Sequence, residues 1–221
     1  VNQMTPGVPL THRPVALFWQ TLSLLWLAGV WVDRKLTRPR RLSKPVISIG
    51  GLAMGGVGKT PFILWLSERL QKQGLHVGIL TRGYQRKEKI PVAYAPGEVA
   101  PVELTGDEAQ LYLRSGLASV GIGADRFLTA KLLEKEVDVF LLDDGFQHWK
   151  LHRDLDIVLI DPLDPYAGGG VFPAGLLREG FDSLKRADIV IYPEKRAVDP
   201  PLPGRYSAFC GIGNPHSFRQ T

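Results

Sequence analysis

A glycine-rich loop at residues 55–60 constrains the fold of this chain more than any other feature of the sequence. An apolar segment at 46–49 precedes the loop, and a helix-forming segment at 61–73 follows it. Glycines let backbone N–H groups point at phosphate oxygens, and the N-terminus of the following helix adds partial positive charge. We therefore predict a phosphate-binding loop, or P-loop, that joins a buried strand to a helix and binds a nucleotide. Its residues are Gly55, Gly56, Val57, Gly58, Lys59 and Thr60.

Two side chains of this loop have the chemistry that a nucleotide site needs. Lysine at the position of Lys59 reaches the β- and γ-phosphates, and a hydroxyl at the position of Thr60 binds Mg²⁺. The sequence departs from the strict pattern at Ala53, where a glycine is usual. A plain turn is the alternative interpretation, but the spacing, the lysine and the flanking segments favour the P-loop.

Apolar segments and helix-forming segments alternate along the rest of the chain. This order predicts an α/β fold of the P-loop NTPase type, with a doubly wound and mainly parallel sheet. We expect a loop or hairpin at 85–104 that carries a short strand at 92–94. The predicted strands are 46–49, 77–80, 120–122, 137–142, 156–160, 188–192 and 205–210. The predicted helices are 61–73, 107–114, 125–136 and 183–187.

The positive charge of the chain is concentrated in one short segment. Six basic residues and one acidic residue lie within residues 33–44, and the chain as a whole has a formal net charge of +5. A patch of this length does not make a nucleic-acid-binding face. We therefore expect no nucleic-acid partner.

The basic segment directly follows an uncharged apolar stretch at residues 15–32, which contains Phe18, Trp19, Trp26 and Trp31. Its 18 residues are at the lower edge of the roughly 17–25 that span a bilayer. Three interpretations are open: a membrane span, a helix lying in the membrane interface, and a helix buried against the domain. Tryptophans favour the headgroup region and basic residues attract anionic lipid, so we expect attachment to a membrane surface.

Two adjacent carboxylates, Asp143 and Asp144, end the apolar segment at 137–142. Ligands of open parallel sheets gather at the carboxyl ends of the strands, so this pair is expected to face the same crevice as Lys59. Carboxylate oxygens are ligands that Mg²⁺ prefers. Aspartates also cap turns, especially before a glycine such as Gly145, and that interpretation is the alternative.

The hexapeptide at 143–148 resembles the signature of the tetraacyldisaccharide 4′-kinase family. Further segments resemble the same family in the same order, and together they cover most of the chain. These segments are 55–61, 81–84, 106–108 and 173–179.

The resemblance implies transfer of the γ-phosphate of ATP to the 4′-hydroxyl of a tetraacyldisaccharide 1-phosphate, a precursor of lipid A. It implies ATP and Mg²⁺ as cofactors and a location at the cytoplasmic face of the inner membrane. We expect residues 1–44 to attach the protein to the membrane and residues 45–221 to form the kinase domain.

Individual site residues follow from the resemblance. Asp107 matches the proposed catalytic base, although its context alone favours a helix cap. Glu179 is implied as a metal ligand with Thr60, Asp143 and Asp144, although by itself it is a loop acid. The tentative substrate residues are Arg82, Tyr84, Gln147 and His148. An ordinary turn is the alternative for Arg82 and Tyr84, and a solvated loop position is the alternative for His148.

Two features leave other functions open. Residues 215–218 look like the start of another helix just before the chain ends, so the C-terminal lobe is expected to be truncated. A histidine in that later lobe, which the family pairs with the aspartate base, has no counterpart here. One alternative is therefore an inactive relative that binds nucleotide and membrane. Another is a membrane-associated ATPase of the partitioning type, although those proteins have a lysine where Met54 stands.

Overall fold

The computed structural model describes residues 13–84, 86 and 89–193, and these form a seven-stranded sheet. The strands are β1 (Val46–Gly51), β2 (Val77–Thr81), β3 (Val92–Tyr94), β4 (Ser119–Ile122), β5 (Val139–Asp143), β6 (Leu155–Leu159) and β7 (Ile189–Ile191). Their order is β3-β4-β2-β5-β1-β6-β7. Every neighbouring pair is parallel except β3 and β4, which are antiparallel. The predicted α/β fold with a mainly parallel sheet is therefore confirmed.

The helices of the described part are α1 (Arg13–Leu36), α2 (Lys59–Lys72), α3 (Val102–Thr105), α4 (Asp107–Ser115) and α5 (Arg126–Lys131), with a 3₁₀ helix at Phe181–Arg186. Successive residues of a strand point to opposite faces of the sheet. Accordingly Ile79 and Leu141 belong to a core cluster with residues of α2 and α4, and Leu80 and Leu142 belong to a second cluster with a residue of α5. Both faces are covered, as a parallel sheet requires.

Three predicted helices or loops differ from the structure. The helix expected at 125–136 is confined to α5, because hydrogen bonds from residues 132, 133 and 136 to the carbonyl three positions earlier close tighter turns there. The helix expected at 183–187 is the 3₁₀ helix. The segment 85–104 contains β3 at the edge of the sheet and also the short α3, which no apolar period indicates. The strand predicted at 205–210 and the helix start at 215–218 lie outside the described residues.

The N-terminal helix α1 packs on the domain with one face and leaves the other exposed. The Ser23 hydroxyl donates to the Val171 carbonyl at 2.8 Å, and the Trp26 indole lies edge-on against the Phe172 ring with centroids 5.0 Å apart. The opposite face carries two exposed apolar rows at seven-residue spacing: Leu17, Leu24 and Trp31, and Phe18, Leu25 and Val32.

In the described part of the chain, no helix combines the length and the apolar character needed to cross a bilayer. The predicted division between residues 44 and 45 falls just before β1 and stays a prediction.

Candidate active site

The candidate site is a cavity of about 800 Å³ at the carboxyl ends of the central strands. Strand β5 lies between β1 and β2 in the sheet, so the ends of these three strands meet at one edge. The P-loop follows β1, Thr81 ends β2 and Asp143 ends β5. This is where an open parallel sheet binds its ligands.

The P-loop has the predicted strand–loop–helix context. Gly58 precedes α2 in the left-handed conformation (φ +84°), which glycine adopts without steric cost. Lys59 and Thr60 are the first two residues of α2, so their backbone N–H groups belong to the unpaired N-terminal set that attracts anions. The loop is thus built to receive phosphate.

The departure at Ala53 has a structural explanation. Ala53 forms an antiparallel bridge with Leu177, and the adjacent Met54 N–H donates to the Leu176 carbonyl at 2.8 Å. Arg178 N–H donates in turn to the Leu52 carbonyl at 2.7 Å. Ala53 therefore lies in a bridged segment and does not have the positive φ that would favour a glycine.

The central polar contact of the cavity joins two cations to one carboxylate. Lys59 Nζ lies 3.2 Å from Asp144 Oδ1, and Arg178 Nη1 lies 2.6 Å from Asp144 Oδ2. Arg178 Nη1 also donates to Gln147 Oε1 at 3.3 Å, and Gln147 Nε2 donates to the Gly51 carbonyl at 3.2 Å. A phosphate group brought to this point would meet two positive side chains.

The two neighbouring aspartates have opposite pKa shifts. Asp143 is 6% exposed and accepts a hydrogen bond from the Thr81 hydroxyl at 3.3 Å. Burial raises the pKa of Asp143 to about 6, and the nearby charges of Asp144 and Glu108 add to that rise. Burial acts in the same direction on Asp144, but Lys59 and Arg178 outweigh it and lower the pKa of Asp144. In the ionised state, the charge of Asp143 therefore destabilises the fold, whereas the charge of Asp144 is compensated by Lys59 and Arg178.

Asp143→Asn is expected to stabilise the ligand-free protein above pH 6. An acid whose pKa is raised in the folded state contributes stability below its unfolded pKa and loses it as pH rises through the folded value. From the rise of the Asp143 pKa to about 6, we expect the stability gain of the variant to be near zero at pH 4 and to reach about 2–3 kcal/mol by pH 8. Urea unfolding across this range, in EDTA, measures it.

Asp144→Asn provides the matched control because the Asp144 pKa shifts in the opposite direction. This variant loses ion pairs with Lys59 and Arg178 and is expected to be destabilised at pH 7. Destabilisation of both variants at pH 8 would contradict the assignment of burial as the dominant effect on Asp143.

The donor set at this edge fits a Mg²⁺ ion that is shared with phosphates. Thr60, Asp143 and Asp144 supply oxygen atoms, which hard cations prefer. Within the described residues, no group of three or more His, Cys, Asp or Glu side chains is placed to hold a metal by itself. Mg²⁺ commonly binds through one or two carboxylates and completes its shell with phosphate oxygens and water. The site thus suits a metal that arrives with a nucleotide.

The far side of the cavity contains the hexapeptide histidine and two arginines. Burial lowers the pKa of His148 to about 4, and nearby Arg126 acts in the same direction, so the imidazole is neutral at pH 7. Arg126 is 6% exposed and donates from Nη1 to the Ala124 carbonyl at 3.1 Å. Burial lowers the pKa of Arg126 to about 10, and the charge of Arg82 contributes. Two guanidinium groups held together in this way favour an anionic ligand.

The structure brings seven of the fourteen predicted site residues to the cavity lining, and Lys59 contacts one of them, Asp144. The cavity lining includes Gly55, Arg82, Tyr84, Asp143, Asp144, Gln147 and His148.

Apart from the rest of the P-loop, the predicted site residues outside this lining are Asp107 and Glu179. Asp107 is an exposed first residue of α4, and it is the next residue, Glu108, that lines the cavity. Glu179 is 5% exposed, and its two carboxylate oxygens accept from the two Nη atoms of Arg186, each at 2.9 Å. The predicted roles of Asp107 and Glu179 stay predictions.

Sequence reasoning missed Glu108, Arg126 and Arg178 as side chains of the cavity. Arg126 follows the carboxyl end of β4 by a few residues, so its position at the active edge of the sheet was the available signal. Arg178 stood within a segment of family resemblance but has no local pattern of its own. Its role emerges only from its contact with Asp144.

Comparisons with known proteins agree on one family. A family model described as tetraacyldisaccharide-1-P 4′-kinase matches residues 12–205. The tetraacyldisaccharide 4′-kinase of Chlamydia trachomatis is 33% identical, covering 90% of this chain and 65% of its own length. That of Geobacter sulfurreducens is 43% identical, covering 81% of this chain and 52% of its own length.

A solved structure gives the same result. The crystal structure described as the "apo" form of LpxK from Aquifex aeolicus in complex with ATP has a TM-score of 0.72 and 33% identity. The match covers 89% of this chain and 62% of that chain. The chain therefore spans between about half and two thirds of the length of the relatives it matches.

Proposed function

Because the chain belongs to the tetraacyldisaccharide-1-P 4′-kinase family, we propose that it transfers the γ-phosphate of ATP to the 4′-hydroxyl of a tetraacyldisaccharide 1-phosphate in lipid A biosynthesis. The observation that carries this proposal is the contact of Lys59 and Arg178 with Asp144 beside a P-loop. A phosphate-binding loop, two cations and a strand-end carboxylate are the parts that phosphoryl transfer requires.

Phosphoryl transfer depends mainly on positioning and on neutralising charge. The backbone amides at the start of α2 bind the phosphates of ATP, and Lys59 reaches the β- and γ-phosphates. Arg178 lies on the other side of Asp144 and adds a second positive charge at the same point. These groups hold the nucleotide and stabilise the negative charge that the transferred group carries.

Thr60, Asp143 and Asp144 are the residues that would hold Mg²⁺. When bound, the ion neutralises charge on the β- and γ-phosphate oxygens. Lys59 and Arg178 lower the pKa of Asp144, so its carboxylate is ionised and able to bind a metal at neutral pH. Glu179 is proposed as a further carboxylate near the metal, which requires that its ion pair with Arg186 opens.

Asp107 is proposed to accept the proton of the attacking hydroxyl. It begins α4 directly after Gly106, which packs so closely on the turn after β2 that an added Cβ would lie 2.6 Å from the Tyr84 carbonyl oxygen. Asp107 is thereby held next to a residue of the cavity lining, and its exposure leaves it accessible to an acceptor that enters from outside.

Arg82, Tyr84, Gln147 and His148 are proposed to contact the acceptor, and Arg126 joins them. The two arginines of this set suit the phosphate of a disaccharide 1-phosphate. His148 is neutral, so it accepts or donates a hydrogen bond to a sugar hydroxyl without adding charge.

The exposed face of α1 is proposed to lie against the cytoplasmic face of the inner membrane. Its two apolar rows are six side chains that are 44–67% exposed, and six basic residues within 34–44 lie at and just after the end of the helix. Apolar side chains buried in the lipid boundary and basic residues near anionic headgroups act together in such attachment. A lipid acceptor is then presented to the cavity from the membrane surface.

A partitioning-type ATPase is not favoured. The family model and the named relatives all describe the 4′-kinase. The position of the signature lysine of those ATPases is Met54, whose N–H is bonded to the Leu176 carbonyl.

Asp107→Asn is expected to lower kcat by about 10²–10⁴-fold, because a positioned general base contributes that much to proton transfer. The assay is transfer of ³²P from labelled ATP with Mg²⁺ to a tetraacyldisaccharide 1-phosphate in detergent. ATP affinity, measured by calorimetry, should stay within twofold because Asp107 lies outside the P-loop.

Glu108→Gln is the matched control, since it removes one charge at the adjacent position. A larger loss in this variant than in Asp107→Asn would move the base to Glu108. Absence of transfer by the unchanged chain, with ATP still bound, would show a nucleotide-binding relative in place of a complete kinase.

A further inference from the structure

Hydrogen bonds from two side chains of α1 connect this helix to the segment 171–178. Ser23 Oγ donates to the Val171 carbonyl at 2.8 Å and accepts from the Ala174 N–H at 3.3 Å. One turn further along the helix, the Trp26 indole N–H donates to the Arg178 carbonyl at 2.9 Å. Ser23 is 8% exposed on a helix whose apolar side chains are mostly exposed, and its hydroxyl also lies 3.1 Å from the Trp19 carbonyl of the same helix.

The same segment holds the start of the P-loop from its other side. Leu176 and Arg178 exchange backbone hydrogen bonds with Met54 and Leu52. The Arg178 side chain then reaches Asp144 at 2.6 Å. Arg178 is therefore fixed at three points: its carbonyl by α1, its N–H by the P-loop segment, and its guanidinium by the strand-end carboxylate.

We propose that Trp26 and Ser23 of α1 are positioning residues that set the place of the Arg178 guanidinium in the phosphate site. The proposal rests on the phosphoryl-transfer function above. It makes α1 a part of the catalytic framework in addition to a membrane contact. Since a misplacement of about 1 Å costs up to about 100-fold in rate, a hydrogen bond that fixes the backbone of a catalytic cation has kinetic consequences.

The two roles of α1 are carried by different faces. On a helix with 3.6 residues per turn, Ser23, Trp26 and Val30 share one side, and the exposed rows that begin at Leu17 and Phe18 share the opposite side. Substitution on the docking side therefore leaves the proposed membrane face unchanged.

Trp26→Phe tests the indole hydrogen bond while it keeps an aromatic ring against Phe172. We expect kcat to fall about fivefold, the kinetic equivalent of about 1 kcal/mol for one hydrogen bond, with the KM for the lipid acceptor unchanged. Binding to vesicles of phosphatidylethanolamine and phosphatidylglycerol should equal that of the unchanged chain. Trp65→Phe is the matched control, because Trp65 is half exposed on α2 and, within the described residues, its ring contacts are with Phe62 and Arg69.

A double-mutant cycle with Arg178→Ala separates positioning from direct contact. If Trp26 acts through the guanidinium, Trp26→Phe causes no further loss of kcat when Arg178 is already alanine. Additive losses would overturn the proposal and place Trp26 in contact with a substrate or in a purely structural role. Ser23→Ala should lower kcat as Trp26→Phe does, and Ser23→Thr, which keeps the hydroxyl, should restore it.

Amide hydrogen exchange tests the same inference without any activity. In Trp26→Phe, the amides of Met54 and Arg178, which cross between the two segments, should exchange about fivefold faster, and the amides of β5 should not change. This result would support the positioning role even if the chain transferred no phosphate. Unchanged exchange at both amides, together with unchanged kcat where transfer is measurable, would overturn it.

Discussion

Replacing Lys59 with alanine is expected to lower phosphate transfer by about 10²–10³-fold, the effect of removing one preorganised donor to a developing negative charge. Lys59 has a side chain that is 15% exposed and lies 3.2 Å from Asp144. It begins α2 directly after the left-handed Gly58, so the helix fixes where its ammonium group points. The measurement is kcat/KM for ATP in the ³²P transfer assay, with ATP affinity measured in parallel by calorimetry.

Lys72→Ala gives the control from the same helix. Lys72 is the last residue of α2, its side chain is 61% exposed, and it pairs with Glu68 one turn earlier. An exposed ion pair of this kind contributes little to stability, so the transfer rate of Lys72→Ala should stay within twofold of that of the unchanged chain. A Lys59→Ala variant that kept more than a tenth of the activity would contradict the placement of Lys59 at the phosphates.

The sequence was sufficient for those parts of the site that depend on local order along the chain. The P-loop is encoded by a strand, a loop with three glycines, two of them at positive φ, and a helix start, all within 46–73. Asp143 and Asp144 follow a run of apolar residues, and the end of a parallel strand always lies at the same edge of the sheet as the other strand ends. The P-loop pattern and the order of the strands therefore predict that Lys59 lies near both carboxylates.

The missed parts depend on contacts between distant segments. Arg178 meets Asp144 across 34 positions, and Trp26 meets Arg178 across 152. No spacing within one element records such pairs, because they arise from loops that the sheet brings together. In the same way, Ser23 is only a polar interruption of an apolar stretch in the sequence, whereas in the structure it is a buried polar contact between α1 and the segment 171–178.

The position of Asp107 shows what a sequence motif alone leaves undetermined. The segment 106–108 was expected to supply the base, and the helix does begin there. Which of two adjacent acids points into the cavity depends on the rotation of the first turn, and about 100° separates successive side chains on a helix. A shift of one residue along the helix therefore decides whether an acid lies outside the cavity, as Asp107 does, or lines it, as Glu108 does.

Phe146→Ala is expected to lower the free energy of unfolding by about 3–5 kcal/mol, the usual cost of removing a fully buried aromatic ring. Phe146 is 0% exposed and belongs to a cluster with Leu52, Val158 and Leu177. These neighbours come from the P-loop segment, from β6 and from the segment that holds Arg178. The ring therefore packs the hexapeptide against the segment before the P-loop and against the segment that contains Arg178.

The same ring supports the buried ion pair beside it. The Arg186 guanidinium lies 4.7 Å from the centroid of Phe146, and it binds both oxygens of Glu179. Removing the ring leaves a cavity under this ion pair and takes away a cation–π contact of about 0.5–2 kcal/mol. Loss of the contact adds to the cost of the cavity, which places the expected effect in the upper part of that range.

Urea unfolding followed by circular dichroism measures the effect of Phe146→Ala, and Phe18→Ala is the matched control. Phe18 is 59% exposed on α1, so the same substitution there should change stability by less than about 0.5 kcal/mol. Phe146→Leu keeps most of the apolar volume and should recover most of the lost stability, so its kcat tests the ring's contribution to the geometry of the hexapeptide. A loss below about 1 kcal/mol in Phe146→Ala would mean that the hexapeptide is held by its polar contacts alone, chiefly those of Asp144 and Gln147 with Arg178.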